Sequence, residues 1–234
     1  MTNKVYHLTT PVTNEQSAAL RTGDVVYLSG SVFTMRDRAH LHLFAQADAG
    51  VKAPFDLRGA AVWHCGPVCR QAPNGEWEIT SIGPTTSYRL TRETPRLLAE
   101  FGVRLLVGKG GMGYETVQAM RREGAAFLAA TGGCGTLHAQ SVKRVNHIYW
   151  PELVGLPEAV WDLNVENLGA LIVAIDSTGA TLYDAVMKEA QSRLEGCYQQ
   201  LGIKDPQFRC IHWPPTLAGT KEVPASLLKT GGGE

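Results

Sequence analysis

The pattern of apolar and polar positions divides the chain into two kinds of segment, one typical of strands and one typical of helices. Short runs that are rich in β-branched, aromatic and other apolar residues, bounded by glycine or polar turns, predict strands. These runs are Tyr6–Thr9, Asp24–Phe33, Ala60–His64, Trp77–Ile82, Val103–Val107, Ala125–Ala130 and Ala170–Asp176. The first strand is therefore expected within ten residues of the start, and the last before residue 180.

Segments with helical spacing lie between or after these runs. They are Glu15–Leu20 with Asn14 as its cap, a stretch that begins near Leu41, Thr94–Phe101, Glu115–Glu123 and Met187–Leu201. A strand, a glycine turn, a helix and a further strand, in this order, are typical of βαβ units with parallel pairing. The sequence therefore predicts an α/β domain with glycine-rich strand-to-helix turns over residues 1–190. A C-terminal helix and a loosely ordered tail are expected over residues 191–234.

Composition limits the size of the core, the class of partner and the cellular compartment. The chain has 234 residues and is 44% hydrophobic, which is enough for one sizeable core. Its 22 basic and 22 acidic residues balance, so no overall charge favours nucleic acid or a membrane surface as a partner. The first residues lead into no apolar run of signal-peptide length, and no stretch approaches a membrane span. We therefore expect a cytoplasmic protein.

The five cysteines do not indicate a disulfide framework, since their number is odd and the expected compartment is reducing. Cys65 and Cys69 could hold a metal together with His64, but their spacing does not match a usual zinc knuckle. The alternative is that they are small buried hydrophobic residues. No metal site is predicted in this chain.

Two glycine-bearing turns carry most of the functional information, Gly83–Arg89 and Gly108–Gly113. Each presents a cation and bare backbone N–H groups shortly before a predicted helix. Unpaired amides at a helix N-terminus, with Lys or Arg nearby, form a ready anion site. Two such turns in one domain indicate a small ligand with more than one negative group, such as a dicarboxylate or a phosphate.

The first turn offers hydroxyls and a guanidinium. Thr85 and Thr86 follow a predicted strand, where their alternative role is to cap the next helix. Arg89 comes four residues after Thr85, so a helical turn could return its side chain to the ligand. A surface salt bridge is the alternative for Arg89.

The second turn places Lys109 after an apolar run, at the carboxyl end of a strand, where parallel sheets bind ligands. Because Gly110 follows Lys109 in place of Ser or Thr, the segment is not a P-loop. Arg36 and Asp37 also follow a predicted strand. Their alternative is a purely structural pairing with each other.

Four segments, taken in order, resemble the β region of the class I iron–sulfur-dependent fumarases and L(+)-tartrate dehydratases. They are Thr34–His40, Gly83–Arg89, Gly108–Gly113 and Gly155–Trp161. The resemblance covers roughly residues 5–185. It implies a swivelling β/β/α domain that closes over an active site built mostly on another polypeptide.

Members of that family add water reversibly at a 4Fe–4S cluster, which three cysteines of the α region hold. The cysteines of this chain show no plausible cluster set. The resemblance therefore implies a separate β subunit, whose α partner brings the cluster, in a hetero-oligomer for which α2β2 is one arrangement. It implies catalytic roles for Thr85, which would exchange the carbon-bound proton, and for Lys109 and Arg89. Substrate binding would fall to a second set, namely Arg36, Asp37, Thr86 and Gly110.

Three substrate pairs fit such a site, namely fumarate with malate, tartrate with oxaloacetate, and methyl-substituted fumarates with their hydration products. Fumarate with malate is placed ahead of tartrate on generality alone, because no residue of this chain supports the choice. A function of another class also fits the turns, namely a stand-alone anion-binding or regulatory module with the same fold. The filled Thr, Arg and Lys positions favour the enzyme.

Overall fold

A computed structural model of the chain describes residues 3–202, apart from the side chain of Ala185. Its strands are β1 (Val5–Thr10), β2 (Val25–Thr34), β3 (Ala61–Trp63), β4 (Val68–Gln71), β5 (Trp77–Ser81), β6 (Leu105–Gly108), β7 (Ala126–Ala129), β8 (Val142–Tyr149) and β9 (Val160–Ile175). Its α-helices are α1 (Asn14–Ala19), α2 (Asp37–Asp48), α3 (Thr94–Phe101), α4 (Tyr114–Glu123), α5 (Gly135–Ala139), α6 (Pro151–Val154) and α7 (Leu182–Gln200). Short 3-10 turns cover Ser87–Leu90 and Leu156–Glu158.

The main sheet has the strand order β1-β2-β3-β6-β7-β9-β8. Strands β1, β2, β3, β6 and β7 pair in parallel, whereas β9 runs antiparallel to β7 and β8. Strand β9 also pairs antiparallel with β2, so β2, β3, β6, β7 and β9 form a closed ring. The carboxyl ends of β3 and β6 therefore lie side by side at one end of this ring. Strands β4 and β5 form a separate hairpin.

Successive residues of the ring strands enter two different hydrophobic clusters. In β6, Leu105 and Val107 join one cluster, while Leu106 joins the other with Leu97 of α3 and Met120 of α4. Strands β3 and β7 alternate in the same way. Because both faces are buried, these strands read as continuous apolar runs in the sequence, as is usual for covered parallel sheets.

Most predicted elements are confirmed, with shifts at their ends. Helix α3 has the predicted bounds, Thr94–Phe101, with a proline in its first turn and Gly102 in the left-handed conformation after its end. The predicted cap of α1 was wrong. Thr13, not Asn14, precedes the helix, and its hydroxyl accepts a hydrogen bond from the Gln16 N–H while the Gln16 side chain accepts one from the Thr13 N–H.

The described chain divides into two compact units after Lys188, within α7. The terminal helix was expected from Met187, and α7 begins five residues earlier, at Leu182. The tail expected after Gly202 lies outside the described residues. Among the helices that the structure describes, none is both long enough and apolar enough to cross a membrane.

Candidate functional site

The two predicted anion turns are hydrogen-bonded to each other at the carboxyl ends of β3 and β6. The Thr85 N–H donates to the His64 carbonyl at 2.6 Å, next to the end of β3. The Lys109 N–H, next to the end of β6, donates to the Thr85 carbonyl at 3.2 Å. The Ser87 N–H in turn donates to the Lys109 carbonyl at 3.1 Å. Residues 85–87 therefore lie between the two chain segments that continue β3 and β6 beyond their ends.

A third glycine turn, residues 131–135, borders the same region. The Ile82 N–H donates to the carbonyl of Gly135 at 2.9 Å. The side chain of Lys109 extends over Gly132, since a Cβ added there would lie 3.9 Å from the Lys109 Nζ. Within residues 3–202, Lys109 forms no hydrogen bond through its side chain and no ion pair. Its ammonium group is therefore a partly buried cation without a protein counter-ion among these residues.

The hydroxyls of the first turn are also uncommitted in the described part of the chain. Thr85 is half-buried and Thr86 is exposed, and neither side chain has a hydrogen bond there. Thr86 occupies the cap position of the 3-10 turn Ser87–Leu90 without making a side-chain cap bond. The structure therefore does not support capping as the reason for these threonines.

Three backbone amides of the second turn, at residues 110–112, have no acceptor among the residues that the structure describes. Gly110 is exposed with φ of +75°, a conformation that favours glycine. Among described residues, no acceptor is seen for the N–H groups of Gly110, Gly111 and Met112, whereas the N–H of Gly113 donates to Thr91 Oγ1 at 3.0 Å. Three consecutive free amides just before α4 fit the predicted anion turn.

The two arginines are already paired with carboxylates. Arg89 Nη2 lies 2.6 Å from Asp37 Oδ2, and Arg36 Nη2 lies 3.1 Å from Glu158 Oε1. The suggested pairing of Arg36 with Asp37 was therefore wrong, because each has a different partner. Glu158 also accepts a hydrogen bond from the Arg38 N–H at 3.0 Å, which fixes the carboxylate beside the N-terminus of α2.

Arg36 keeps one side-chain donor without an acceptor among the described residues. Its Nε is buried and has no hydrogen-bond partner among the described residues. A Cβ added at Gly66 would lie 3.0 Å from the Arg36 Nη1, so this glycine leaves room for the guanidinium. Glu158 therefore binds the Nη2 of Arg36, and the Nε–H of the same guanidinium is left for another acceptor.

Sequence reasoning missed a buried polar cluster behind the turns. His64, Ser87 and His40 are all fully buried. His64 Nδ1 lies 2.9 Å from Ser87 Oγ, and the His40 ring packs edge-on against the His64 ring with centroids 5.9 Å apart. Burial lowers the pKa of His64 well below 6.5, and the nearby His40 and Arg89 lower it further. Burial also lowers the pKa of His40, so both imidazoles are neutral near pH 7.

No metal site forms around these residues. Within residues 3–202, no group of three His, Cys, Asp or Glu side chains is arranged to hold a metal ion, and this includes His64, Cys65 and Cys69. The four described cysteines are free thiols, and burial raises the pKa of the Cys65 thiol well above its usual value. Cys65 therefore fits the alternative of a small buried residue.

Two open grooves lie elsewhere on the molecule, between β5 and β8. Each has a volume of about 660 Å³, and their walls include Trp77 and Val145. Neither groove contains any residue of the two anion turns. We place the candidate site at the strand ends, because the two turns that carry Thr85, Thr86, Lys109 and the amides of residues 110–112 are hydrogen-bonded to each other there.

Comparisons with known proteins address the same part of the chain. The family model described as Fumarase C-terminus matches residues 2–186. A putative L(+)-tartrate dehydratase subunit beta from Methanocaldococcus jannaschii is 41% identical over 183 residues, or 78% of this chain and 93% of that protein. The L(+)-tartrate dehydratase subunit beta of Escherichia coli K12 is 40% identical over 176 residues, which cover 75% of this chain and 85% of that protein. A putative fumarate hydratase class I from Geobacillus stearothermophilus is 38% identical over 205 residues, which are 88% of this chain but 37% of that protein.

Proposed function

Because the chain belongs to the Fumarase C-terminus family, as a β-subunit-type member of the class I fumarate hydratases and L(+)-tartrate dehydratases, we propose that it is the β subunit of a two-chain hydro-lyase. Its reaction is the reversible hydration or dehydration of a four- or five-carbon dicarboxylate. The observation that carries this proposal is the hydrogen-bonded junction of the two anion turns, which brings Thr85 and Lys109 together. The relatives named as beta subunits support a partner α subunit in a hetero-oligomer.

The site chemistry suits a diacid. A substrate carboxylate can bind the free amides of residues 110–112 and the ammonium group of Lys109. Arg36 and Arg89 lie at the start of α2 and on the neighbouring turn, where they can bind a second carboxylate. Charge that develops on the carboxylate during proton removal is stabilised by such preorganised cations and N–H donors.

Proton transfer at carbon is assigned to Thr85. A threonine hydroxyl is a poor base unless a nearby cation stabilises its alkoxide. Lys109 can supply that cation, because its backbone N–H donates a hydrogen bond to the Thr85 carbonyl. In addition, its side chain has no competing partner among the described residues. Arg89 is less available in this state, since Asp37 binds it.

The described residues of this chain offer no ligand set for an iron–sulfur cluster. In this proposal, the 4Fe–4S cluster of the α subunit supplies the Lewis acid that assists the leaving hydroxyl. Residues of the β chain bind the carboxylates and move the proton. We also assign the closed ring of strands to a swivelling domain that closes over a site built mostly on the α subunit.

The test is reconstitution. The chain expressed alone is expected to be colourless and inactive, and the complex with its α subunit to interconvert fumarate with malate or to dehydrate tartrate. Activity of the isolated, iron-free chain would contradict the proposal. An inactive complex together with tight citrate or phosphate binding by the isolated chain would favour an anion-binding module. Assays with fumarate, L-malate, both tartrate enantiomers and mesaconate identify the substrate.

A further inference from the structure

Two residues of the candidate site, Thr85 and Lys109, close a cycle of hydrogen bonds with the buried residues His64 and Ser87. The Thr85 N–H donates to the His64 carbonyl, the Lys109 N–H to the Thr85 carbonyl, and the Ser87 N–H to the Lys109 carbonyl. The fourth link joins Ser87 Oγ to His64 Nδ1 at 2.9 Å. Three links therefore use the backbone, and the fourth depends on two side chains.

The Ser87 hydroxyl has little freedom in this position. A Cβ added at Gly108 would collide with Ser87 Oγ, so the hydroxyl fills the space that the glycine leaves open. His64 closes the other side, and both His64 and Ser87 are fully buried. Buried side chains in a packed environment keep one rotamer. The contacts of Ser87 with His64 and Gly108 therefore fix its position relative to the ends of β3 and β6.

The link is formed between neutral groups. Burial lowers the pKa of His64 well below 6.5, and His40 and Arg89 also disfavour its protonation. Burial also lowers the pKa of its neighbour His40, whose Nδ1–H donates to the Arg36 carbonyl at 2.7 Å. His64 therefore adds no charge to the anion site, and its ring is too deeply buried to meet a substrate.

We propose that His64 is a positioning residue for the hydro-lyase reaction, acting through Ser87 to hold Thr85 and Lys109 in one arrangement. This inference rests on the proposed function for its effect on catalysis. Two groups that must act on the same substrate need a fixed separation, and loss of about 1 Å of alignment can cost about a hundredfold in rate. A link between His64, which directly follows β3, and the turn that carries Ser87 meets that need.

The experiment uses the α–β complex with His64→Leu, Ser87→Ala and the double variant. Each single variant is expected to lower kcat about tenfold to a hundredfold, with little change in KM. The double variant should be no worse than the poorer single variant, because either change removes the same link. His64→Asn, whose amide reaches the place of Nδ1, should recover much of the activity lost in His64→Leu.

Ser17→Ala is the matched control. Ser17 is also fully buried, and its hydroxyl donates to the Gly124 carbonyl at 2.7 Å, away from the turns. This change should lower thermal stability and leave kcat unchanged. A Ser87→Ala complex that loses stability in the same way and keeps its kcat would overturn the proposal. Additive losses in the double variant, or no recovery in His64→Asn, would overturn it as well.

Amide hydrogen exchange separates this inference from the proposed function. In the isolated full chain, Ser87→Ala should speed exchange of the Lys109 amide, and Ser17→Ala should not. If the wild-type complex proves inactive but this exchange difference is seen, the proposed function fails and the positioning of Lys109 by the link stands. Unchanged Lys109 exchange in Ser87→Ala overturns the positioning itself, whatever the activity.

Discussion

Arg89 and Asp37 form an ion pair between two segments that lie 52 residues apart in the sequence, with Arg89 Nη2 2.6 Å from Asp37 Oδ2. The pair joins the turn after Thr86 to the first turn of α2. The two side chains are 43% and 42% exposed, so the pair is accessible to a ligand. A substrate carboxylate that binds Arg89 has to compete with the carboxylate of Asp37.

The resemblance implies that Asp37 binds substrate, whereas its pairing with Arg89 indicates that it competes with substrate. On this second interpretation, Asp37→Asn is expected to lower KM for the dicarboxylate in the α–β complex. An exposed pair of this kind contributes about 0.2–1 kcal/mol, so the change in KM should be less than about fivefold. Asp56→Asn serves as the control, since Asp56 pairs with Arg58 before the start of β3, at the opposite end of that strand. A rise in KM for Asp37→Asn would show that Asp37 supports substrate binding.

Gly108→Ala should destabilise the chain, because the new methyl group would collide with Ser87 Oγ. Overpacking of this kind typically costs about 1–3 kcal/mol in the free energy of unfolding. Gly83→Ala is the matched change, since its Cβ would have Gly135 Cα as nearest atom at an ordinary 3.9 Å. Urea unfolding of both variants measures the difference. Equal stabilities for the two variants would contradict the packing described around Ser87.

Stability should depend on the buried histidines below neutral pH. Burial lowers the pKa of His40 and His64 in the folded chain from 6.5, the value for an exposed histidine. As pH falls through 6.5, the unfolded chain gains protons that the folded chain does not, so the free energy of unfolding decreases. The contribution is complete above that pH and is lost below it, by up to about 1.4 kcal/mol per pH unit for each histidine.

Urea unfolding between about pH 7.5 and pH 5 measures this slope. His64→Asn should make it shallower, because one buried imidazole is removed. Asp56, whose pKa is lowered to about 2 by Arg58, titrates outside this range and does not disturb the comparison. Stability that is constant or that increases on acidification would contradict the neutral, buried state of these rings.

Local sequence patterns predicted the strands that are buried on both faces. Strands β3, β6 and β7 are buried on both faces, so their apolar runs were visible without knowledge of the fold. Strand β8 was missed because it pairs with β9 alone in the main sheet, and none of its residues, which include Lys143 and Arg144, is fully buried. The pairing of β9 with β2 closes the ring across more than a hundred residues and leaves no local signal.

Some features of the candidate site were predicted from the sequence and others were not. The position of Lys109 follows from the rule that parallel strands end at one edge, because β6 precedes it in the main sheet. The same rule was applied to the Thr85 turn, but β5, which precedes that turn, lies in the separate hairpin, so the hydrogen bonds that bring the two turns together had no signal in the sequence. The partner of Arg36 was not predictable, because Glu158 lies 122 residues later and any nearby carboxylate could have served. His64 was considered only as a metal ligand, since a histidine at the end of an apolar run does not reveal whether its ring is buried.

Lys109→Met in the complex should lower kcat/KM sharply. Removal of one preorganised charge can cost on the order of 2–4 kcal/mol of transition-state binding. The thermal stability of the chain should hardly change, because Lys109 has no side-chain hydrogen bond or ion pair within residues 3–202. Lys143→Met is the control, since that lysine lies on β8 and pairs with Glu166. Full activity of the Lys109→Met complex would show that Lys109 is not part of the active site.

Thr85 and Thr86 allow a test of the proton-transfer role at neighbouring positions, because neither hydroxyl has a protein hydrogen bond among the described residues. Valine is close to threonine in shape and lacks the hydroxyl, so Thr85→Val should lower kcat by about a hundredfold to ten-thousandfold, the range for a lost acid–base group. It should also stop the exchange of the carbon-bound proton of the product with deuterated solvent. Thr86→Val should raise KM and leave that exchange measurable, because this hydroxyl is assigned to binding. Proton exchange that persists in Thr85→Val and disappears in Thr86→Val would reverse the two assignments.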